Sequence, residues 1–112
     1  MRKEKIDKKD WHIENETFKE HFAKILKENP KRIKSFKTRV VKGYNETKDL
    51  AAFLENLKII AIAEAKTSEI AKERKMKRPN VYRILSKDSN PSFANLSAIA
   101  RNLGFDFVVK VA

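Results

Sequence analysis

Residues 67–86, TSEIAKERKMKRPNVYRILS, constrain this chain more than any other stretch. Ile70 and Ala71 lie side by side on one face of a short helix, and Val81, Ile84 and Leu85 recur at the i, i+3, i+4 spacing of a second. Met76 falls between the two sets, where a residue must fill the angle between crossing helices. Ala71 is small enough to let the second helix pass closely over the first. Pro79 suits the first turn of that second helix, where an amide has no intrahelical partner to lose. Two short helices joined by a tight bend make a helix-turn-helix, whose second helix can enter the major groove of DNA.

The rest of the chain reads as support. Residues 1–15 are highly charged and aperiodic, which predicts a frayed arm or one ordered by a partner; Trp11 either docks on the body or anchors that partner. Residues 16–29 predict an amphipathic helix with Phe18, Phe22, Ile25 and Leu26 inward and Asn15 as its cap. Pro30 stops it. A second helix over residues 30–41 carries Ile33, Phe36, Val40 and Val41 on one side, and Gly43, Tyr44 and Asn45 are expected to break it. Thr47 is the expected N-cap of a third helix over residues 48–65. Its stripe of Leu50, Phe53, Leu54, Leu57, Ile60 and Ala61 is widened by Ile59 and Ile62 beyond what a surface helix needs, which places it centrally. Thr67 is expected to cap the first short helix. Ser92 is expected to cap a last helix over residues 93–102, and Gly104 to supply a left-handed stop. Phe105, Phe107, Val109 and Val111 then alternate with Asp106, Val108 and Lys110, the period of a strand. A lone strand leaves an edge unpaired, and pairing it with the same strand of a second copy is the simplest remedy, so a homodimer is expected, with those four odd-numbered residues as the dimerisation set if it forms through this strand and helices as the alternative interface.

Charge narrows the partner. Lys and Arg number 26 against 15 Asp and Glu, a formal charge of +11, and such a balance calls for an anionic partner: nucleic acid, an acidic protein or a membrane surface. Residues 72–83 hold six basic side chains and one acid, Glu73, a net +5 around the second short helix. These cations either form a solvated face or contact phosphates and bases, and in the second case binding falls steeply with salt. The early outward positions of a recognition helix reach base edges. Arg78, Asn80 and Arg83 are the expected base readers, since Arg pairs bidentately with guanine and Asn with adenine. Lys77 and Tyr82 face phosphate, although Tyr82 fits surface packing equally well. Ser86, Lys75 and Thr67 complete the candidate DNA-binding set. The turn departs from the common pattern in two places. Lys75 fills the slot where glycine usually takes a left-handed angle, and Arg74 fills one that is usually apolar. Either the turn is widened or the Arg stem packs while its head reaches solvent.

Other chemistry is poorly supplied. With no cysteine there is no disulfide, thiol catalysis or Cys-ligated zinc. His12 and His21 lack metal-ligand spacing, Glu14, Glu16 and Glu20 look like solvated helix charges, and no serine sits in a nucleophile-like context. No enzyme activity, cofactor, metal or small-molecule substrate is expected. No apolar run spans a bilayer, and the charged start is unlike a signal peptide, so a cytoplasmic protein is expected.

The segment IAKERKMKRPNVYRILSKDSNPSFANLSAIARNLGFDF, residues 70–107, resembles the addiction-module antidote proteins, HigA-like antitoxins with a helix-turn-helix of the Cro/repressor class. YRILSKDSNPSFANL, followed by a helix ending in Leu-Gly, carries most of the likeness. The resemblance implies a mainly α, lambda-repressor-like domain with a short C-terminal β-strand, binding double-stranded DNA as a dimer to repress its own operon. It also implies a RelE-like toxin neutralised by direct binding. The expected organisation is a basic helical extension over residues 1–46 and a DNA-binding domain over residues 47–112. A stand-alone repressor, and a module whose basic face takes an acidic protein without specific DNA recognition, are the alternatives. The extension is a candidate toxin-binding portion through Trp11, Phe18 and Phe22, unless the two Phe belong to the core.

Overall fold

A computed structural model describes residues 16–112. The expected arm, with Trp11, His12, Glu14 and the cap Asn15, lies outside the described residues. Six helices follow one another among those described: α1 (Glu16–Lys27), α2 (Pro30–Thr47), α3 (Leu50–Ala63), α4 (Thr67–Glu73), α5 (Arg78–Ile84) and α6 (Phe93–Asn102). The fold is mainly helical. No helix of the described residues is long and apolar enough to cross a membrane.

The width of the α3 stripe has a direct consequence. One side of α3 meets α1 and α2, where Ile59 and Ala63 pack on Ala23 and Leu26, flanked by Phe22, Ile33 and Phe36. The other side, through Phe53, Leu54, Leu57 and Ile60, joins Ile70, Val81, Leu85 and Ile99 in the larger core. Leu54, Leu57, Ile60, Ile70, Val81, Leu85 and Ile99 are fully buried. Each contributes roughly 1.5–3 kcal/mol of transfer free energy. Phe18 stacks on Phe22, whose ring meets Phe36 edge-on at 5.3 Å, so these aromatic residues of α1 serve the packing of the body.

A helix buried on two sides also buries its polar positions. Glu55 and Lys58 on α3 are buried, as is Lys19 on α1. Lys19 Nζ sits 2.5 Å from Glu55 Oε1, and Glu55 Oε2 accepts the backbone N–H of Lys87 at 3.0 Å. One carboxylate thus ties α1 to α3 and both to the loop after α5.

The helix ends follow local rules, with several differences from the sequence expectations. Ser92 accepts from the amide of Asn95, capping α6 as expected. α6 stops at Gly104, φ 93°, with Phe105 N–H on Ala100 O and Gly104 N–H on Arg101 O, the two bonds of a Schellman motif. The same pair of bonds closes α3 around Ala65, φ 54°, and α4 around Lys75, φ 54°. Gly43 does not break α2, which runs on to Thr47: the cost of a helical glycine, about 1 kcal/mol, is offset by Tyr44, whose ring packs on Phe53 at 5.1 Å. Thr47 therefore ends α2, and Asp49, not Thr47, caps α3 by accepting from the amide of Ala52. Thr67 is the first residue of α4 rather than its cap. Lys66 holds the cap position because the chain leaves the left-handed Ala65 directly into the helix.

The expected C-terminal strand is absent. Residues 105–112 carry no regular structure, and no strand occurs among the described residues. A strand exists only by pairing its backbone, and the helices of this body already use their own amides and carbonyls. Phe105 is nevertheless buried, meeting Phe53 at 6.1 Å, while Phe107 lies between Phe53 and Phe93. The start of the tail is anchored on its own body; Val109 and Val111 are exposed.

Candidate nucleic-acid interface

α4 and α5 are seven-residue helices linked by residues 74–77. The turn keeps the left-handed angle at Lys75 without glycine, and its Schellman bonds give it ordinary width. Arg74, in the usually apolar slot, is half-buried, and its Nε donates to Asn95 Oδ1 at 3.1 Å. Its head thus ties the turn to α6 instead of running free into solvent. Asn102 of α6 donates to Glu73 at 3.0 Å and to Glu69 at 3.4 Å, a second tie between α6 and α4.

Val81 and Leu85 turn inward, and Ile84 is half-buried. That fixes the opposite side of α5 as its solvent face. Lys77 at the N-cap, Arg78 and Arg83 are exposed, and Lys75 is exposed in the turn before them. Asn80 is half-buried, and its Oδ1 accepts from Arg83 Nη2 at 2.9 Å, so the amide orients the guanidinium one turn further along. Ser86 donates its hydroxyl to Arg83 O at 2.9 Å, closing the helix end. Arg78, Asn80 and Arg83 therefore share one short helix, two of the three exposed.

Thr67 and Tyr82 are placed differently. Thr67 is 4% exposed, and its hydroxyl donates to the Tyr82 hydroxyl at 3.2 Å. Lys58 Nζ lies 5.5 Å from the Tyr82 ring centre, a cation–π arrangement. Tyr82 is thus engaged in joining α5 to α3 and α4, the packing role the sequence left open, and the Thr67 side chain lies beneath the surface. The polar ties that hold α4 and α5 from behind, through Lys58, Asn95 and Asn102, escaped the sequence reading. They join residues far apart in the chain, and no periodicity marks them.

The arrangement can bind polyanions: four cations lie on or beside a helix that bears no acid. Among the described residues no group of three His, Cys, Asp or Glu is assembled that could hold a metal. No protein-family model matches the chain, and neither a curated protein nor a solved structure matches it.

Proposed function

We propose that this chain is a sequence-specific DNA-binding regulator that lays α5 of a repressor-type helix-turn-helix in the major groove. The reading rests chiefly on one observation: Arg78 and Arg83 stand exposed on α5, with Asn80 bonded to Arg83, flanked by Lys75 and Lys77. Arg78 and Arg83 read guanine bidentately, Asn80 orients Arg83, and the two lysines neutralise phosphate. The antitoxin role, with a RelE-like toxin as partner and operon repression as its consequence, rests on the resemblance over residues 70–107. In this reading the protein works by binding, with no catalytic step and no cofactor.

The test uses duplexes enriched from a random pool by the wild-type chain. Arg78→Ala and Arg83→Ala are each expected to cost about 1–3 kcal/mol of affinity for the enriched duplex, and much less for an unselected one. If nothing is enriched, or both variants bind as wild type, specific DNA reading is wrong, and a basic surface for an acidic protein takes its place. Co-purification with the product of an adjacent small basic reading frame tests the antitoxin role; a gene that stands alone favours a plain repressor.

A further inference from the structure

The tail combines an anchored start with an exposed end. Phe105 and Phe107 pack toward Phe53, beside an open groove of about 690 Å³ lined in part by Tyr44, Leu50, Phe93 and Leu96. Phe93 and Val108 are 63% and 70% exposed, and Val109 and Val111 are 86% and 99% exposed. Among the described residues, the backbone of residues 106–112 makes no hydrogen bond to other backbone. An alternating apolar segment with a free backbone edge is a template for pairing with another strand.

The charges on this segment say which strand. Asp106 and Lys110 stand two residues either side of Val108. When two copies of the segment run antiparallel with Val108 opposite Val108, Asp106 of each copy faces Lys110 of the other. Any other antiparallel register separates the two charges. The same register sets Phe107 opposite Val109 and Phe105 opposite Val111, so the exposed Val109 of one copy covers the exposed Phe107 of the other. We infer that the chain forms a symmetric dimer by antiparallel pairing of residues 105–111 about Val108, its register fixed by two Asp106–Lys110 pairs. The strand period written in the sequence is then realised between copies rather than within one.

This association is independent of the DNA reading and is measured with no DNA present. Sedimentation equilibrium of the full chain compares wild type with Asp106→Lys, Lys110→Asp, the double exchange D106K/K110D, and an equimolar mixture of the two single variants. Each single variant sets like charges opposite each other twice per dimer, and is expected to weaken the dimer roughly ten- to thirty-fold. The double exchange restores the dimer. The mixture also restores it, because both lysines of the D106K chain then face the two aspartates of the K110D chain. A wild-type monomer overturns the inference. So does a dimer indifferent to the single changes, or a mixture no tighter than its components. Far-UV circular dichroism checks that each variant keeps its helices, and the double exchange decides the matter should one single variant lose them.

Discussion

Replacing Lys19 by Met is expected to destabilise the protein far more than the loss of an ordinary lysine. Its ammonium and the Glu55 carboxylate are each 3% exposed at the side chain. Methionine fills similar volume, so the chief change is a buried carboxylate that keeps, among the described residues, the amide of Lys87 against it. Breaking a buried pair from one side costs about 3–5 kcal/mol. A domain of this size holds about 5–15 kcal/mol in all, and about 3 kcal/mol would lower its Tm by roughly 12–24 °C. Glu55→Met should cost a similar amount, since it takes the carboxylate away from the Lys19 ammonium and removes the acceptor for the Lys87 amide. The double variant K19M/E55M buries neither member of the pair and loses the acceptor for Lys87, at about 1–3 kcal/mol. It should therefore be more stable than either single variant. Urea unfolding followed by circular dichroism, at one fixed protein concentration because association shifts apparent stability, gives the three differences. Single costs below about 1 kcal/mol, the range of a solvated pair, or a double cost equal to the sum of the singles, would refute the account of a buried, mutually dependent pair.

Three further outcomes can be checked directly. Ala65→Gly relieves a left-handed alanine, φ 54°, and should stabilise by about 0.5–1 kcal/mol in urea midpoints, whereas Gly104→Ala, whose new Cβ would lie 3.2 Å from Lys37 Nζ at φ +93°, should destabilise by about 1–2 kcal/mol. Lys75→Gly should likewise raise stability while weakening DNA binding, and the slope of log affinity against log salt should shrink by about 0.9 if Lys75 touches one phosphate; an unchanged slope removes Lys75 from the interface. Asn80→Ala and Arg83→Ala should be strongly non-additive in affinity for an enriched duplex, because the amide acts through the guanidinium it orients; additive losses would show that each side chain contacts DNA on its own account.

What the sequence made legible was set by near neighbours. The inward side of α5 follows from Val81, Ile84 and Leu85 at helical spacing, whereas the half-buried Asn80 and the packing of Tyr82 do not follow from it. The Ser92 cap and the Gly104 stop are equally local, each decided within four residues. Gly43 does not break α2 because the ring of Tyr44 packs on Phe53, a partner close in space and not in sequence, which helix propensity alone does not contain. The Lys19–Glu55 pair likewise joins residues far apart in the chain, yet the sequence of α3 carries a signal of it. Leu54, Leu57, Ile59 and Ile60 spread apolar side chains so far around α3 that Glu55 and Lys58, caught between them, had little solvent face to occupy. A buried charge demands a partner, and a stripe this wide is itself a forecast of one.

The strand shows the complementary limit. Alternation over residues 105–111 is a real property of the sequence, but it specifies only which side chains share a face, and pairing needs a second edge, which the described residues of one copy do not hold. Helical period differs in kind, since a helix satisfies its backbone within itself and needs neighbours only for its stripe. The same distinction bears on function. The solvent face of α5 is complete in one chain, so its Arg and Asn can be judged residue by residue. A two-fold DNA reader also needs its two copies of α5 held at a fixed spacing, about one helical turn of DNA or a multiple of it. In this protein that spacing would be set by the Val108-centred pairing, through a tail tied to the body by Phe105 against Phe53. Charge exchange at Asp106 or Lys110 should then weaken binding to a two-half-site duplex while leaving binding to a single half-site unchanged. An equal loss on both duplexes would mean that the tail touches DNA itself or distorts α5, and that the spacing is set elsewhere.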